Sequence, residues 1–196
     1  MKTQTVQYSL ATVLLVGSLG LFAAGCKTAK SSCSDVLPAV AERTALPTIR
    51  IKAGVTVPIK DSSGNEWLAD HGFADGETIE RPELKIEGTP DQAIYQAERY
   101  GMTKFVQPLP AGKYLVKLHF AETYDGITDK GQRVFSFNVE GQEFKDFDVW
   151  AKAGGALRAY VETVLVEIAD GQLDITFTPT IENPEINGLE IRPAAP

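Results

Sequence analysis

From Thr48 onward, apolar and polar residues alternate in short segments, and this alternation constrains the fold more than any other feature of the chain. In the clearest segment, apolar residues occupy every second position: Tyr114, Val116, Leu118 and Phe120. Successive side chains of a β-strand point to opposite faces, so this pattern predicts half-buried strands. Four further segments alternate in the same way: Ile49 to Lys52, Phe135 to Val139, Leu173 to Thr178 and Leu189 to Arg192.

Turn residues separate these segments. Glycine-containing triplets stand where hairpins should close, because glycine supplies the positive φ that tight turns need: Ser63-Gly64-Asn65, Glu140-Gly141-Gln142 and Ala169-Asp170-Gly171. No helical stripe separates the strands, which argues against a parallel α/β sheet. The segment from Asp91 to Arg99 fits either a short helix capped by Asp91 or an extended stretch. We therefore predict an all-β, antiparallel sandwich.

The N-terminus is typical of a secretory signal. Lys2 precedes an uncharged stretch from Leu10 to Phe22, and Ala23-Ala24-Gly25-Cys26 follows. The A-A-G-C ending resembles a bacterial lipobox, which implies that Cys26 is lipidated. Plain secretion and an uncleaved anchor remain alternatives. The predicted organisation is a signal peptide over residues 1–25, the lipidated cysteine and a tether over 26–47, and a domain over 48–196. Cys33 is then a free thiol, or pairs with Cys26 if that residue is not acylated.

Composition narrows the function classes. The net charge of −7 argues against a nucleic-acid partner, and two Cys with two His argue against a zinc site, so we expect no metal and no cofactor. A calcium loop at Asp61 to Asn65 is less favoured than a β-turn, because the full ligand spacing is missing. Neither G-x-S-x-G nor a phosphate loop occurs.

Two tyrosines next to polar residues and glycine suggest a sugar site. Tyr100 ends I-Y-Q-A-E-R-Y-G and Tyr124 lies in F-A-E-T-Y-D-G. A pyranose packs an apolar C–H face on an aromatic ring while its hydroxyls bond to carboxylates and amides. The alternative is that both tyrosines cover the edge of the core.

Five stretches in the same order resemble a malectin-type domain: D-S-S-G-N-E-W-L-A-D (61–70), I-Y-Q-A-E-R-Y-G (94–101), L-H-F-A-E-T-Y (118–124), G-Q-R-V-F-S-F-N-V-E-G-Q (131–142) and E-N-P-E-I-N-G-L-E-I (182–191). The resemblance implies a jelly-roll β-sandwich of the galactose-binding-like class. It also implies non-catalytic binding of an oligosaccharide or polysaccharide, with glucose-type sugars among the candidates.

The resemblance assigns carbohydrate contacts to Tyr100, Tyr124 and Glu182, with Asp125 as a further hydroxyl acceptor. Asp125 stands where the characterised family member has Phe, and the tyrosine of an earlier loop is absent between Asp70 and Leu84. The resemblance also implies supporting roles for Glu98, Arg99 and Glu122, with a Glu–Arg pair fixing the loop that presents Tyr100.

The sequence thus favours a non-enzymatic, lipid-anchored carbohydrate-binding protein at the bacterial cell envelope, on its periplasmic or extracellular face. A protein-interaction module with a decayed sugar site is one alternative. A small glycoside hydrolase using Glu98, Glu122 or Glu182 is the other.

Overall fold

The computed structural model describes residues 46–194, so the predictions for the signal peptide, for Cys26 and for most of the tether lie outside the described residues. The described elements, in chain order, are β1 (Ile49–Lys52), β2 (Ile59–Lys60), β3 (Glu66–Trp67), β4 (Glu77–Glu80), α1 (Gln92–Tyr95), β5 (Ala97–Tyr100), β6 (Lys104–Pro108), β7 (Gly112–Phe120), β8 (Val134–Val139), β9 (Gln142–Phe147), α2 (Val149–Ala153), β10 (Tyr160–Ile168), β11 (Gln172–Ile181), β12 (Glu185–Ile186) and β13 (Gly188–Pro193).

Two four-stranded sheets form the body of the fold. The first has the order β1-β13-β7-β10 and the second the order β6-β11-β8-β9, with antiparallel pairing throughout. A small three-stranded sheet, β12-β5-β4, and a two-stranded ribbon, β2-β3, complete it. The predicted all-β, antiparallel sandwich is confirmed.

The alternation read from the sequence explains the core. On β7 the four apolar positions are buried while the intervening residues are partly exposed, as a strand with one core face requires. Apolar side chains from both large sheets form one continuous cluster, in which the rings of Phe120 and Phe137 lie 6.0 Å apart. A second, smaller cluster contains Trp67, Ile86, Ile94, Tyr95 and Ala121.

Two of the three predicted hairpins occur. Glu140 and Gly141 both have positive φ and join β8 to β9 in a two-residue loop, and Ser63 to Asn65 join β2 to β3. The hairpin predicted at Ala169 to Gly171 is wrong. This turn leads from β10, which pairs with β7 in the first sheet, to β11, which pairs with β6 and β8 in the second. All three turns carry the same local sequence signal, and only the pairing of the flanking strands distinguishes a hairpin from a connection between sheets.

The segment from Asp91 to Arg99 combines both predicted alternatives. One helical turn, α1, is followed directly by β5. The predicted capping by the Asp91 side chain is wrong, since its carboxylate instead accepts a hydrogen bond from the Ser62 backbone N–H at 2.7 Å. Within residues 46–194, no helix has the length and apolar character needed to cross a membrane.

Candidate functional site

An open cleft of about 300 Å³ lies beside the small sheet. Its lining combines two aromatic rings, two arginines, two carboxylates, an amide and one aliphatic side chain: Tyr100, Tyr124, Arg81, Arg133, Glu98, Glu182, Asn183 and Ile79. These residues come from β4 and the residue after it, from β5, from the segment after β7, from the residue before β8 and from the segment after β11. The cleft is therefore assembled from parts of the chain that are distant in sequence.

Tyr100 is held by the small sheet. It is the last residue of β5 and pairs with Glu77 on β4 and with Glu185 on β12. Its hydroxyl donates a hydrogen bond to Glu77 Oε2 at 2.8 Å, and this bond raises the pKa of Tyr100. Strand pairing on both sides and the hydroxyl contact give the ring a fixed position in the cleft wall.

Tyr124 belongs to a tight turn that follows β7. The Ile127 N–H donates to the Tyr124 carbonyl at 3.1 Å, and the Tyr124 side chain is 43% exposed. Its ring lies directly over Gly126, where an added Cβ would stand 2.5 Å from the ring atom Cε1. Only glycine leaves room for this ring position, so the turn itself orients the second aromatic wall.

Glu182 and Asn183 form the rim beyond the end of β11. Glu182 adopts a left-handed backbone conformation with φ of 58°. Such a conformation is costly for a residue other than glycine, and it is one of the features that cluster at active sites and ligand-binding loops. The neighbouring Asn183 carbonyl accepts a hydrogen bond from Arg133 Nη1 at 2.6 Å, which ties the rim to the floor of the cleft.

The first part of the floor is an ion pair between Arg81 and Glu98. Arg81 Nη1 lies 3.2 Å from Glu98 Oε1 and donates to Thr123 Oγ1 at 2.8 Å. Thr123 in turn donates to the second oxygen of the Glu98 carboxylate. Glu98 is almost fully buried. Because Glu98 lies on β5 and Thr123 directly precedes Tyr124, their hydrogen bond ties β5 to the segment that carries Tyr124.

A second ion pair lies deeper. Arg133 Nε donates to Glu122 Oε2 at 2.7 Å, and their side chains are 5% and 0% exposed. Burial, partly offset by Arg133, raises the pKa of Glu122. The other Glu122 oxygen accepts the Tyr124 backbone N–H at 3.1 Å, so this pair positions the tyrosine turn as well as the rim.

Two further ionisable residues lie buried behind the cleft. Lys52 Nζ donates to the carbonyls of Ala53, Ala97 and Asn187, and burial lowers the pKa of Lys52 to about 7. Glu185 is fully buried, and neither of its carboxyl oxygens has a hydrogen-bond partner among the described residues. Burial, reinforced by the charges of Glu98 and Glu122, raises the pKa of Glu185 well above its ordinary value.

The structure brings some of the predicted site residues together and separates others. Tyr100, Tyr124, Glu182 and Glu98 line the cleft. Asp125 does not, and lies instead with Tyr124 in a neighbouring depression. Glu122 is buried against Arg133 rather than exposed to a ligand.

Arg99 is not the arginine of the expected Glu–Arg pair, and it does not pair with the neighbouring Glu98. Adjacent residues of a strand project to opposite faces, so the two side chains cannot meet. Glu98 pairs with Arg81, whereas Arg99 Nε lies 3.0 Å from Asp70 Oδ2 and its Nη1 donates to the carbonyls of Asp75 and Gly76. Both residues still secure the strand that presents Tyr100, although with partners from different loops.

Sequence reasoning missed Arg81, Arg133, Asn183 and Ile79. Arg133 and Asn183 lie inside stretches that carried the family resemblance, but neither had been assigned a role. The glutamates of the shared motifs were a signal for the arginines, because a carboxylate that becomes buried requires a cationic partner.

The turn from Asp61 to Asn65 is a β-turn rather than an arranged cation loop. The Asp61 carboxylate accepts hydrogen bonds from the Ser63 and Asn65 backbone and from Trp67 Nε1. Across residues 46–194, no group of three or more His, Cys, Asp and Glu side chains is arranged to hold a metal ion.

The fold and this cleft define an antiparallel β-sandwich with an open, aromatic-walled site formed by loops and a small sheet. The family model described as the Malectin domain matches residues 48–189, and the chain belongs to this family.

The chain is also similar to parts of several known proteins. The kinesin-like protein KIN-14E of Oryza sativa subsp. japonica is 30% identical over 151 residues, covering 72% of this chain and 14% of that protein. Bacteroides uniformis beta-glucuronidase matches with a TM-score of 0.69 at 18% identity, over 76% of this chain and 18% of the enzyme. A structure of the plant peptide RALF23 in complex with FER and LLG2 matches with a TM-score of 0.62 at 21% identity, over 73% of this chain and 47% of that one. The chain thus spans less than half of each of these proteins.

Proposed function

We propose that this protein binds a neutral carbohydrate in the cleft between Tyr100 and Tyr124 and does not transform it. The observation that carries the proposal is the pair of tyrosine rings lining one cleft with Glu182 and Asn183 on its rim. Aromatic rings accept the C–H face of a pyranose, and a carboxylate and an amide satisfy its hydroxyls.

The charges in the cleft favour a neutral ligand. Two arginines and two glutamates line it, so their formal charges cancel. The Arg81 guanidinium is already paired with Glu98, and that of Arg133 with Glu122, which leaves no unpaired cation to neutralise an acidic sugar. The overall net charge of −7 acts in the same direction.

The engagement of the carboxylates supports binding without hydrolysis. A glycosidase needs one carboxyl group as an acid and a second as a base or nucleophile. Glu98 and Glu122 each hold an arginine, and Glu182 is the exposed carboxylate of the cleft. Turnover of chromogenic glycosides by the purified protein would contradict this part of the proposal.

The proposal is tested by screening the purified full-length chain on an array of neutral and acidic oligosaccharides, followed by calorimetry. Aromatic contacts of about 0.5–1.5 kcal/mol per ring, together with hydrogen bonds from the sugar hydroxyls to the rim, predict weak, millimolar to micromolar affinity. Tyr124→Ala is expected to weaken binding by roughly 2- to 13-fold, the equivalent of that contact energy, whereas Tyr124→Phe keeps the ring and retains most of the affinity. Leu165→Ala, at an exposed side chain on β10 outside the cleft, is the control and leaves binding unchanged.

A subtler variant tests the position of the ring rather than its presence. In Gly126→Ala the new Cβ overlaps the Tyr124 ring, so this ring must move although neither tyrosine is replaced. We expect weaker binding at an unchanged melting temperature. The proposal fails if the wild-type chain binds no glycan, or if Tyr124→Ala binds as the wild type does. A large drop in melting temperature for Tyr124→Ala would instead make Tyr124 a structural residue.

We further propose that the chain is exported and held at the bacterial cell envelope by a lipid on Cys26. The sequence of residues 1–26, with its charged start, uncharged stretch and A-A-G-C ending, supports this. Mass spectrometry of membrane-extracted protein should find a modified Cys26 at the mature N-terminus. An unmodified Cys26 in that fraction would rule out the anchor.

A protein ligand is the second candidate, because one structural neighbour is a plant complex that contains the peptide RALF23. The Tyr100–Tyr124 cleft would then receive a peptide side chain. Recovery of one stoichiometric protein partner, sensitive to Tyr124→Ala and combined with the absence of glycan binding, would select this function over the first.

A further inference from the structure

A second depression, of about 290 Å³, lies on the other side of Tyr124 from the cleft. Its walls are mainly apolar, with Leu84, Trp150 and Leu157 among them, while Asp125 and Thr128 are its exposed polar members. Tyr124 lines both the cleft and this depression. The two are therefore adjacent parts of one surface, which Tyr124 divides.

The backbone around Trp150 is firmly positioned. The Asp148 side chain accepts from the Ala151 N–H at 3.0 Å at the start of α2, and Gly154 ends the helix in a left-handed conformation. The N–H groups of Gly154 and Gly155 both donate to the Trp150 carbonyl at 2.9 Å. These bonds fix the backbone that carries the partly exposed Trp150 side chain at the edge of the depression.

The opposite wall is joined directly to the cleft. The Leu157 N–H donates at 2.9 Å to the carbonyl of Glu122, two residues before Tyr124. Leu157 itself has a φ of 54°, a left-handed conformation that is rare for a bulky side chain. Strain of this kind persists where the surrounding structure imposes it, and it occurs preferentially at binding sites.

The chemistry of the depression fits a sugar ring. Carbohydrate and other small-molecule sites are mostly apolar with a few placed polar groups. The Trp150 indole offers an apolar face and an N–H donor, and Asp125 and Thr128 offer oxygen acceptors. The only other carboxylate in the lining, Glu122, is neutralised by Arg133.

We propose that this depression is a second sugar subsite, with Trp150 as its aromatic platform, so that the protein binds a glycan of at least two units that passes over Tyr124. This inference rests on the proposed carbohydrate binding, since it assigns the neighbouring unit of the same ligand. It also gives Asp125 a role in the depression, although it does not line the cleft.

The test compares ligands of different length on the full-length chain. The strongest glycan from the array of neutral oligosaccharides is titrated by calorimetry together with its terminal monosaccharide and disaccharide fragments. The variants are Trp150→Ala, Trp150→Phe and the exposed control Leu165→Ala. We expect Trp150→Ala to weaken disaccharide binding about tenfold while monosaccharide binding stays unchanged, and Trp150→Phe to restore most of the difference.

Tryptophan emission provides a second readout that a purely structural role would not move. The chain has two tryptophans, and Trp67 is 2% exposed in the second apolar cluster. A change in emission on adding the disaccharide should therefore come from Trp150 and disappear in Trp150→Phe. The monosaccharide should leave the emission of the wild type unchanged.

The outcomes separate the two proposals. Absence of binding by the wild type to every glycan overturns both. Wild-type binding with equal affinities for monosaccharide and disaccharide, or an equal loss for both ligands in Trp150→Ala, overturns the second subsite alone. If Trp150→Ala lowers the melting temperature, the role of Trp150 is judged from Trp150→Phe and from the emission change instead. If folded Trp150→Phe binds the disaccharide and still shows the full emission change, Trp150 is not the aromatic platform of the subsite.

Discussion

Removing Arg133 should be among the most damaging single substitutions in the site. In Arg133→Met, Glu122 loses contacts at 2.7 and 3.3 Å and becomes a fully buried carboxylate without its cation. The Asn183 carbonyl also loses its donor at 2.6 Å. Removing one partner of a buried ion pair costs about 3–5 kcal/mol. Since a domain is typically stable by about 5–15 kcal/mol, the variant should lose a large fraction of its free energy of unfolding.

The cost should depend on pH. Without Arg133 the folded-state pKa of Glu122 rises further, because burial then acts unopposed. A carboxyl group with a raised folded-state pKa makes its full contribution to the stability of the fold below its unfolded-state pKa. This contribution is lost as the pH rises through the folded-state pKa. The cost of Arg133→Met should therefore be larger at pH 8 than at pH 5, by up to about 1.4 kcal/mol for each pH unit in this range.

Urea unfolding of four chains measures this: the wild type, Arg133→Met, Glu122→Gln and the double variant. The double variant should recover much of the loss, because it leaves no buried charge. Lys145→Met is the control, since Lys145 is 71% exposed in its pair with Glu143 and exposed pairs contribute less than about 1 kcal/mol. A cost below about 1 kcal/mol for Arg133→Met, or a cost that neither pH nor Glu122→Gln relieves, would refute the reasoning.

Three further predictions concern buried ionisable groups and one glycine. Glu185→Gln should gain stability relative to the wild type as the pH rises above 4.5, by up to about 1.4 kcal/mol per unit, because the raised pKa of Glu185 destabilises its charged folded form; parallel pH curves from urea unfolding would contradict this. Burial lowers the pKa of His119 to about 4, so the unfolded chain takes up the proton first and the wild type loses stability as the pH falls from 6.5 to 4. His119→Gln should lose less stability over this range, by at most roughly 3 kcal/mol. Melting curves of both chains from pH 6.5 to 4 measure the difference. Gly76→Ala should cost more than about 1 kcal/mol in urea, because it combines a φ of 84° with a Cβ 2.5 Å from the Tyr100 carbonyl oxygen. Gly131→Ala shares the positive φ in open space, so an equal cost for both would show that the steric overlap contributes nothing.

Much of the candidate site was readable from the sequence, but only as separate parts. Tyr100, Tyr124 and Glu182 were selected from their neighbours and from the family resemblance, and they do line one cleft. Their arrangement could not be read, since they lie at or beyond the ends of β5, β7 and β11, which belong to three different sheets. The same limit explains why the arginine that pairs with Glu98 was not identified, because Arg81 is 17 positions away in the chain.

The sequence by itself determined the sandwich class and the core faces of five strands, β1, β7, β8, β11 and β13, because alternation of apolar and polar side chains is a local property of the chain. It also determined where turns occur. Which strands a turn connects, as at Ala169 to Gly171, was decided by pairing between distant segments. Only the tertiary structure decided that Arg133 neutralises Glu122, that Gly126 seats the Tyr124 ring and that Trp150 stands beside it. Charge pairing and steric fit act through space at a few ångströms, and the order of residues along the chain does not specify those distances.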